Sequence, residues 1–114
     1  MRKNALRQAL QGGKPVFGTM LQESRSSAVP ELMAAAGCDF IFIDMEHGAF
    51  NMETVADLIK VTRLTGMTPL VRVPDDQYHL VARVLDAGAQ GIMVPRVEHR
   101  EQVEKVVQWA RFPP

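Results

Sequence analysis

Apolar runs and amphipathic runs alternate along this chain in a regular beat, and that alternation limits the fold more than any other feature. Val16 to Leu21 reads as a strand, and Ser26-Ser27 followed by Val29, Leu32, Met33 and Ala36 reads as a capped helix stopping at Gly37. Phe40 to Ile43 is a second strand. Asn51 can cap a helix whose Val55, Leu58, Ile59 and Leu64 share a face, with Gly66 as its stop. Thr68 to Val73 is a third strand, and Tyr78, Val81, Ala82 and Leu85 form the stripe of a helix ending near Gly88. Gly91 to Val97 supplies a fourth strand, and a last helix carries Val103, Val106, Val107 and Ala110. That helix runs out in Arg111-Phe112-Pro113-Pro114, where paired prolines forbid continuation. At the start, Ala5, Leu6, Ala9 and Leu10 describe a short amphipathic helix closed by Gly12-Gly13. The glycine stop favours that helix over a transit peptide, which Arg2, Lys3 and Arg7 without an acid would otherwise suggest.

Four strand-then-helix units predict an α/β fold with a parallel sheet, because parallel neighbours need a crossover and the crossovers here are helical. Each crossover is right-handed by default. No Asn-Gly or Asp-Gly hairpin signal interrupts the pattern. There is no linker or low-complexity tract, and the four units share no motif that would make them a solenoid. At this length an open sheet and half of a barrel look alike: a closed (β/α)₈ barrel takes about 250 residues and eight strands. Residues 1–114 are expected to form one partial domain.

The overall charge points to a small-molecule partner. Thirteen Lys and Arg balance thirteen Asp and Glu, so no net field favours nucleic acid or an anionic membrane. With 46% hydrophobic residues the chain can build one core, yet no apolar run approaches the roughly 20 residues that span a bilayer. A soluble, cytoplasmic protein is the expectation. Cys38 is the single cysteine, which rules out an intrachain disulfide, and beside Gly37 it reads as a small core thiol with no activating base nearby in sequence.

In parallel sheets and barrels alike, function gathers at the carboxyl ends of the strands. Here those ends hold Gln22 and Glu23, Asp44 to His47, Arg72, and Pro95-Arg96. A lone histidine is usually a surface or core residue, but His47 follows a buried-type strand and has Asp44 and Glu46 beside it. Either carboxylate can orient the imidazole or raise its basicity, which suits a general base. Arg72 offers a planar fork for a carboxylate or a developing oxyanion, or a salt bridge to a strand-end acid; spacing alone leaves both open. Asp44, Glu46 and His47 are suitable ligand types for a divalent ion. Successive residues of an extended strand point to opposite faces, however, so any metal needs ligands from elsewhere. Neither G-x-G-x-x-G nor G-x-x-x-x-G-K-[ST] occurs, which disfavours nucleotide binding. His79, His99 and Arg100 read as solvated helix residues.

Four segments taken together, Ile43-Asp44-Met45-Glu46-His47-Gly48, Pro69-Leu70-Val71-Arg72-Val73-Pro74, Leu85-Asp86-Ala87-Gly88-Ala89 with Gly91-Ile92-Met93-Val94-Pro95, and Arg111-Phe112-Pro113-Pro114, resemble the HpcH/HpaI aldolase family in order and spacing. The resemblance runs from Phe17 onward. It implies the N-terminal half of a (β/α)₈ TIM barrel, in a class II aldolase that makes or breaks a carbon–carbon bond between pyruvate, as its enolate, and an aldehyde. It also implies a homo-oligomer and a Mg²⁺ or Mn²⁺ ion. By the resemblance, His47 is the proton-transferring base and Arg72 stabilises the enolate oxygen. Asp86 matches an acid that raises the histidine's basicity, and Asp44 is similar to the one beside that histidine. The family's Glu and Asp metal ligands come from strands five and six, so they are expected beyond residue 114. Two further readings are a non-catalytic half-barrel module that works by association through its sheet edges, and a lyase of the citrate-lyase β type. The second is less well matched by Glu46-His47-Gly48. In a half-barrel, inward side chains such as Phe40, Phe42, Val71 and Val94 are expected to lack apolar partners.

Overall fold

The computed structural model describes residues 3–111. The elements run α1 (Ala5–Gln11), β1 (Gly18–Leu21), α2 (Ala28–Ala35), β2 (Phe40–Asp44), α3 (Met52–Leu64), β3 (Thr68–Arg72), α4 (Tyr78–Asp86), β4 (Gly91–Met93) and α5 (Arg100–Trp109). The final Phe112-Pro113-Pro114 and the first two residues lie outside the described residues. Local chemistry accounts for most boundaries. Asn51 caps α3 by accepting from the Thr54 amide at 2.9 Å, and Asn4 caps α1 by accepting from Arg7 at 3.0 Å. Past α3 the chain passes through Gly66 at φ 87°, a left-handed conformation that glycine adopts without a Cβ clash.

The sheet order is β1-β2-β3-β4, and every neighbouring pair is parallel. Each strand is therefore added beside its predecessor, always stepping the same way, and right-handed crossovers then lay the connecting helices on one side. A doubly wound sheet needs a reversal of strand order, and the described strands have none. This is the progression of a (β/α) barrel, with half the strands of a closed one.

The core fills the space between the sheet and its helices. Ile41, Ile43 and Val71 are fully buried against Val55, Leu58 and Ile59 of α3 and Val81 and Val84 of α4. The opposite sheet face follows from the register. Gly18, Phe40 and Thr68 share one row, and Met20, Phe42, Leu70 and Gly91 share the next. A Cβ on Gly91 would stand 2.6 Å from the Leu70 side chain, so glycine there leaves room for leucine. Phe40 and Phe42 lie on this open face and are only partly buried, as expected, but Val71 does not join them. It belongs to the helix-covered face, and Val94 likewise packs against the helix-side core.

Two strands are shorter than their apolar runs suggest. β1 begins at Gly18 because Phe17 is tied to Asp39 instead: its amide donates to the Asp39 carboxylate at 2.9 Å, and its carbonyl accepts from the Asp39 amide. β4 stops at Met93 because Pro95 has no N–H to donate and Arg96 leaves the extended region at φ 56°. Helix α1 lies at the amino ends of the strands. It shares a cavity with Cys38, Asp39 and Met67, and Asn4 donates to the Gln90 carbonyl at 3.0 Å. The carboxyl ends lie at the opposite rim. Among the described residues no helix is long and apolar enough to cross a membrane.

Candidate active site

Asp44 closes β2 and organises the carboxyl rim. Its carboxylate is fully buried. Oδ1 accepts from the Glu46 amide at 3.0 Å and the His47 amide at 3.2 Å, which turns the chain sharply just past the strand. The register sets Asp44 opposite Arg72 on β3, and the guanidinium donates bidentately, Nε to Oδ1 at 2.9 Å and Nη2 to Oδ2 at 2.5 Å. From the β1 side, Gln22 Nε2 donates to Oδ2 at 2.8 Å. Three strand ends thus converge on one carboxylate.

The Arg72 guanidinium holds the Asp44 carboxyl well below the usual carboxylate range; burial opposes this, and Gln22 and the two amides reinforce it. Arg72 is correspondingly held above its ordinary value, chiefly by its hydrogen bond to Asp44. A carboxyl depressed on folding contributes stability that is present above its unfolded value, near 3.8, and lost as pH falls toward the folded one. Urea midpoints measured from about pH 6 down to about pH 2.5 should therefore drop more steeply for the native protein than for Asp44→Asn. Parallel acid profiles would show that Asp44 is not the linked group.

Glu46 and His47 stand in front of this buried pair. Glu46 Oε1 lies 3.6 Å from His47 Nε2, and Oε2 lies 3.5 Å from Arg72 Nε. Arg96 Nε reaches to 4.0 Å of the same carboxylate. The His47 side chain is 66% exposed, so its ring is accessible to a ligand. Gly48 completes the turn by close approach: a Cβ there would overlap the Asp44 carbonyl oxygen and stand 2.8 Å from that of Gln22. Gly48→Ala is expected to lower stability by about 1–3 kcal/mol, read from urea midpoints, because backbone must move to admit the methyl.

The structure brings His47, Asp44 and Arg72 together at one rim but divides their work differently from their spacing in sequence. The carboxylate beside the imidazole is that of Glu46, while both Asp44 oxygens are taken by Arg72, Gln22 and the turn. Of the two readings of Arg72, the structure shows the salt bridge to a strand-end acid, which uses Nε and one Nη2 proton and leaves Nη1 outside the pair. Asp86 is elsewhere. It ends α4 and lines a shallow groove between α3 and α4 with Met52, Glu53, Ala56, Arg83 and Ala87, on the outer helix layer. Gln22 was legible only as a strand-end residue; the step beyond the Leu21–Ile43 register pair places it opposite Asp44.

The described residues do not fit a divalent ion. No group of three His, Cys, Asp or Glu among them could hold one. Asp44 is saturated with donors, and Glu46 already faces Arg72, Arg96 and His47, an environment suited to an anion more than to a second cation.

Comparison with known proteins identifies relatives of the chain in sequence and in fold. The chain is 32% identical over 111 residues to a hydroxypyruvate/pyruvate aldolase of Roseobacter denitrificans, covering 97% of this chain and 43% of that protein. The crystal structure of an HpcH/HpaI aldolase from Desulfitobacterium hafniense DCB-2 superposes with a TM-score of 0.88 at 36% identity, covering 96% of this chain and 42% of that one. A solved citrate synthase, SbnG, superposes with a TM-score of 0.86 at 40% identity, covering 96% and 44%. The chain thus spans less than half the length of the relatives it matches. The profile of one family matches residues 19–114, and on that match the chain belongs to the HpcH/HpaI aldolase/citrate lyase family.

Proposed function

We propose that this chain supplies the proton-transferring, oxyanion-binding half of a class II aldolase site that acts on 2-oxo acids through a pyruvate enolate. One observation carries the reading: Arg72, fixed by the buried Asp44, and the accessible His47 flank the same Glu46 carboxylate, at 3.5 and 3.6 Å. His47 takes a proton from C3 of pyruvate, and the electron pair of that C–H bond moves onto the C2 oxygen as an enolate. Arg72 Nη1 donates to that oxygen as its charge develops. C3 of the enolate then bonds to the aldehyde carbon, whose oxygen becomes a hydroxyl on protonation; cleavage is the reverse. Asp44 acts through Arg72 and is a positioning residue.

The Mg²⁺ or Mn²⁺ ion of the resemblance finds no site among the described residues, and no step here depends on it. Asp86, on the outer helix layer, enters this reading only by reaching the site of a neighbouring copy in a homo-oligomer.

The test is deuterium exchange of the pyruvate methyl group in D₂O, followed by proton NMR on the protein at its natural length, with Mg²⁺ or Mn²⁺ supplied. Exchange above the buffer rate is expected. The second reading, a lyase of the citrate-lyase β type acting on acyl-CoA esters, draws its support from the family's citrate-lyase branch and the solved citrate synthase. Exchange confined to the methyl of an acetyl thioester would transfer the site to that reading, and exchange of neither would favour the non-catalytic module.

A further inference from the structure

We infer that Arg96 is a specificity-determining residue that recognises a carboxylate on the aldehyde partner, so that the site selects acid-bearing aldehydes over neutral ones. The inference rests on the aldolase reading and adds to it the chemical class of the second substrate.

Arg96 stands three residues past β4, at the same rim as Arg72, and is the one non-glycine residue of positive φ among those described, at 56°. Glycine or asparagine takes that conformation readily, whereas a long side chain takes it against steric preference. Such outliers gather at functional sites, because there the side chain matters more than backbone comfort. Arg96 takes this conformation just past Pro95, at the turn out of β4 and at the mouth of the site.

Its contacts are loose. Nη2 donates to the Pro74 carbonyl at 3.3 Å, and Nη2 and Nε lie 3.8 and 4.0 Å from Asp75 and Glu46. Charge-assisted hydrogen bonds run about 2.7–2.9 Å, so these are weak pairings, and the side chain is 69% exposed. Each acid has partners besides Arg96. Asp75 accepts from the Asp76 amide at 2.9 Å and Gln77 Nε2 at 3.0 Å, and Glu46 keeps Arg72 and His47. An incoming carboxylate can therefore take the fork of Arg96 without leaving an acid unpaired. Arg72 and Arg96 sit on adjacent strand ends on either side of Glu46, so a molecule with its enolate oxygen on Arg72 presents a distal carboxylate, a few carbon–carbon bonds away, toward Arg96.

The experiment measures kcat/KM for aldol addition of pyruvate to matched aldehydes: glyoxylate against glycolaldehyde, and 4-oxobutanoate against butanal. Native protein, Arg96→Met, Arg96→Lys and Arg96→Gly are compared. The carboxylate-to-neutral ratio should fall about tenfold or more in Arg96→Met and Arg96→Gly for at least one pair, with Arg96→Lys between. Because glycine relieves the left-handed backbone, Arg96→Gly should keep or raise the urea midpoint. Ratios that stay within about twofold while native protein exchanges the pyruvate methyl overturn the inference alone. Absence of exchange in native protein overturns the aldolase reading and the inference with it. A lowered midpoint in Arg96→Gly with an unmoved ratio assigns Arg96 to holding the Pro74 turn.

Discussion

Replacing Asp44 by Ala should cost about 3 kcal/mol of stability or more, the largest loss expected from any single side chain at the rim. Asp44 is fully buried and accepts from Arg72, Gln22 and two backbone amides. Its removal strands a guanidinium at the end of β3 and leaves the turn amides without an acceptor, and breaking a buried pair on one side typically costs about 3–5 kcal/mol. The low end applies because Arg72 keeps 20% of its side chain exposed, where water can solvate part of the orphaned charge. Against a total of about 5–15 kcal/mol for a domain, even that loss is large. Urea denaturation of Asp44→Ala, Arg72→Met and the double variant tests the source of the loss. The double variant should recover part of the single-variant cost, since removing both partners leaves no unpaired charge. Strict additivity would mean that the two residues contribute separately and that the bidentate contact is incidental.

Much of this was legible in the sequence, where the signal was local. Apolar runs marked all four strands, Asn51 announced the start of α3, and Gly66 its end. What the sequence left open depends on pairing between distant segments. Whether the strands open into a doubly wound sheet or step in order, as in a barrel, is written in no single run, and the order β1-β2-β3-β4 decides it. A strand buried on both faces is apolar throughout, so alternation cannot tell Ile41 and Ile43, which face helices, from Phe40 and Phe42, which do not. For that reason Val71 and Val94 cannot be separated from Phe40 and Phe42 by pattern, although both lie on the helix-covered side.

The site divides along the same line. His47 and Arg72 stood out as charged chemistry at strand ends, a position that a sequence does reveal. The partner of each did not. Adjacency in sequence linked Asp44 to His47, but the side chain of Asp44 points along its row toward Arg72, and only the register of β2 with β3 makes that visible. Arg96 was visible as a strand-end residue, while its left-handed backbone, the feature that separates it from an ordinary surface arginine, is a property of the folded turn.

His47→Ala should slow exchange of the pyruvate methyl by about 10²–10⁴-fold with little change in stability, and the separation of those two effects is what makes the test sharp. A side chain 66% exposed, paired with Glu46 at 3.6 Å, carries little packing energy. Its truncation should move the urea midpoint by no more than about 0.5 kcal/mol equivalent. Glu46→Gln should slow exchange less, since it removes the charge beside the imidazole and leaves the base itself. Arg72→Lys separates the other half of the site: the charge stays, but an ammonium cannot hold Asp44 with two parallel bonds and still offer a third donor outward, so both stability and rate should fall. Added imidazole should restore part of the rate in His47→Ala and none in Arg72→Lys, because only the first lacks a base. Exchange by His47→Ala within about twofold of native would take the histidine out of the proton-transfer role and leave Glu46, 3.5 Å from Arg72, as the carboxylate to examine next.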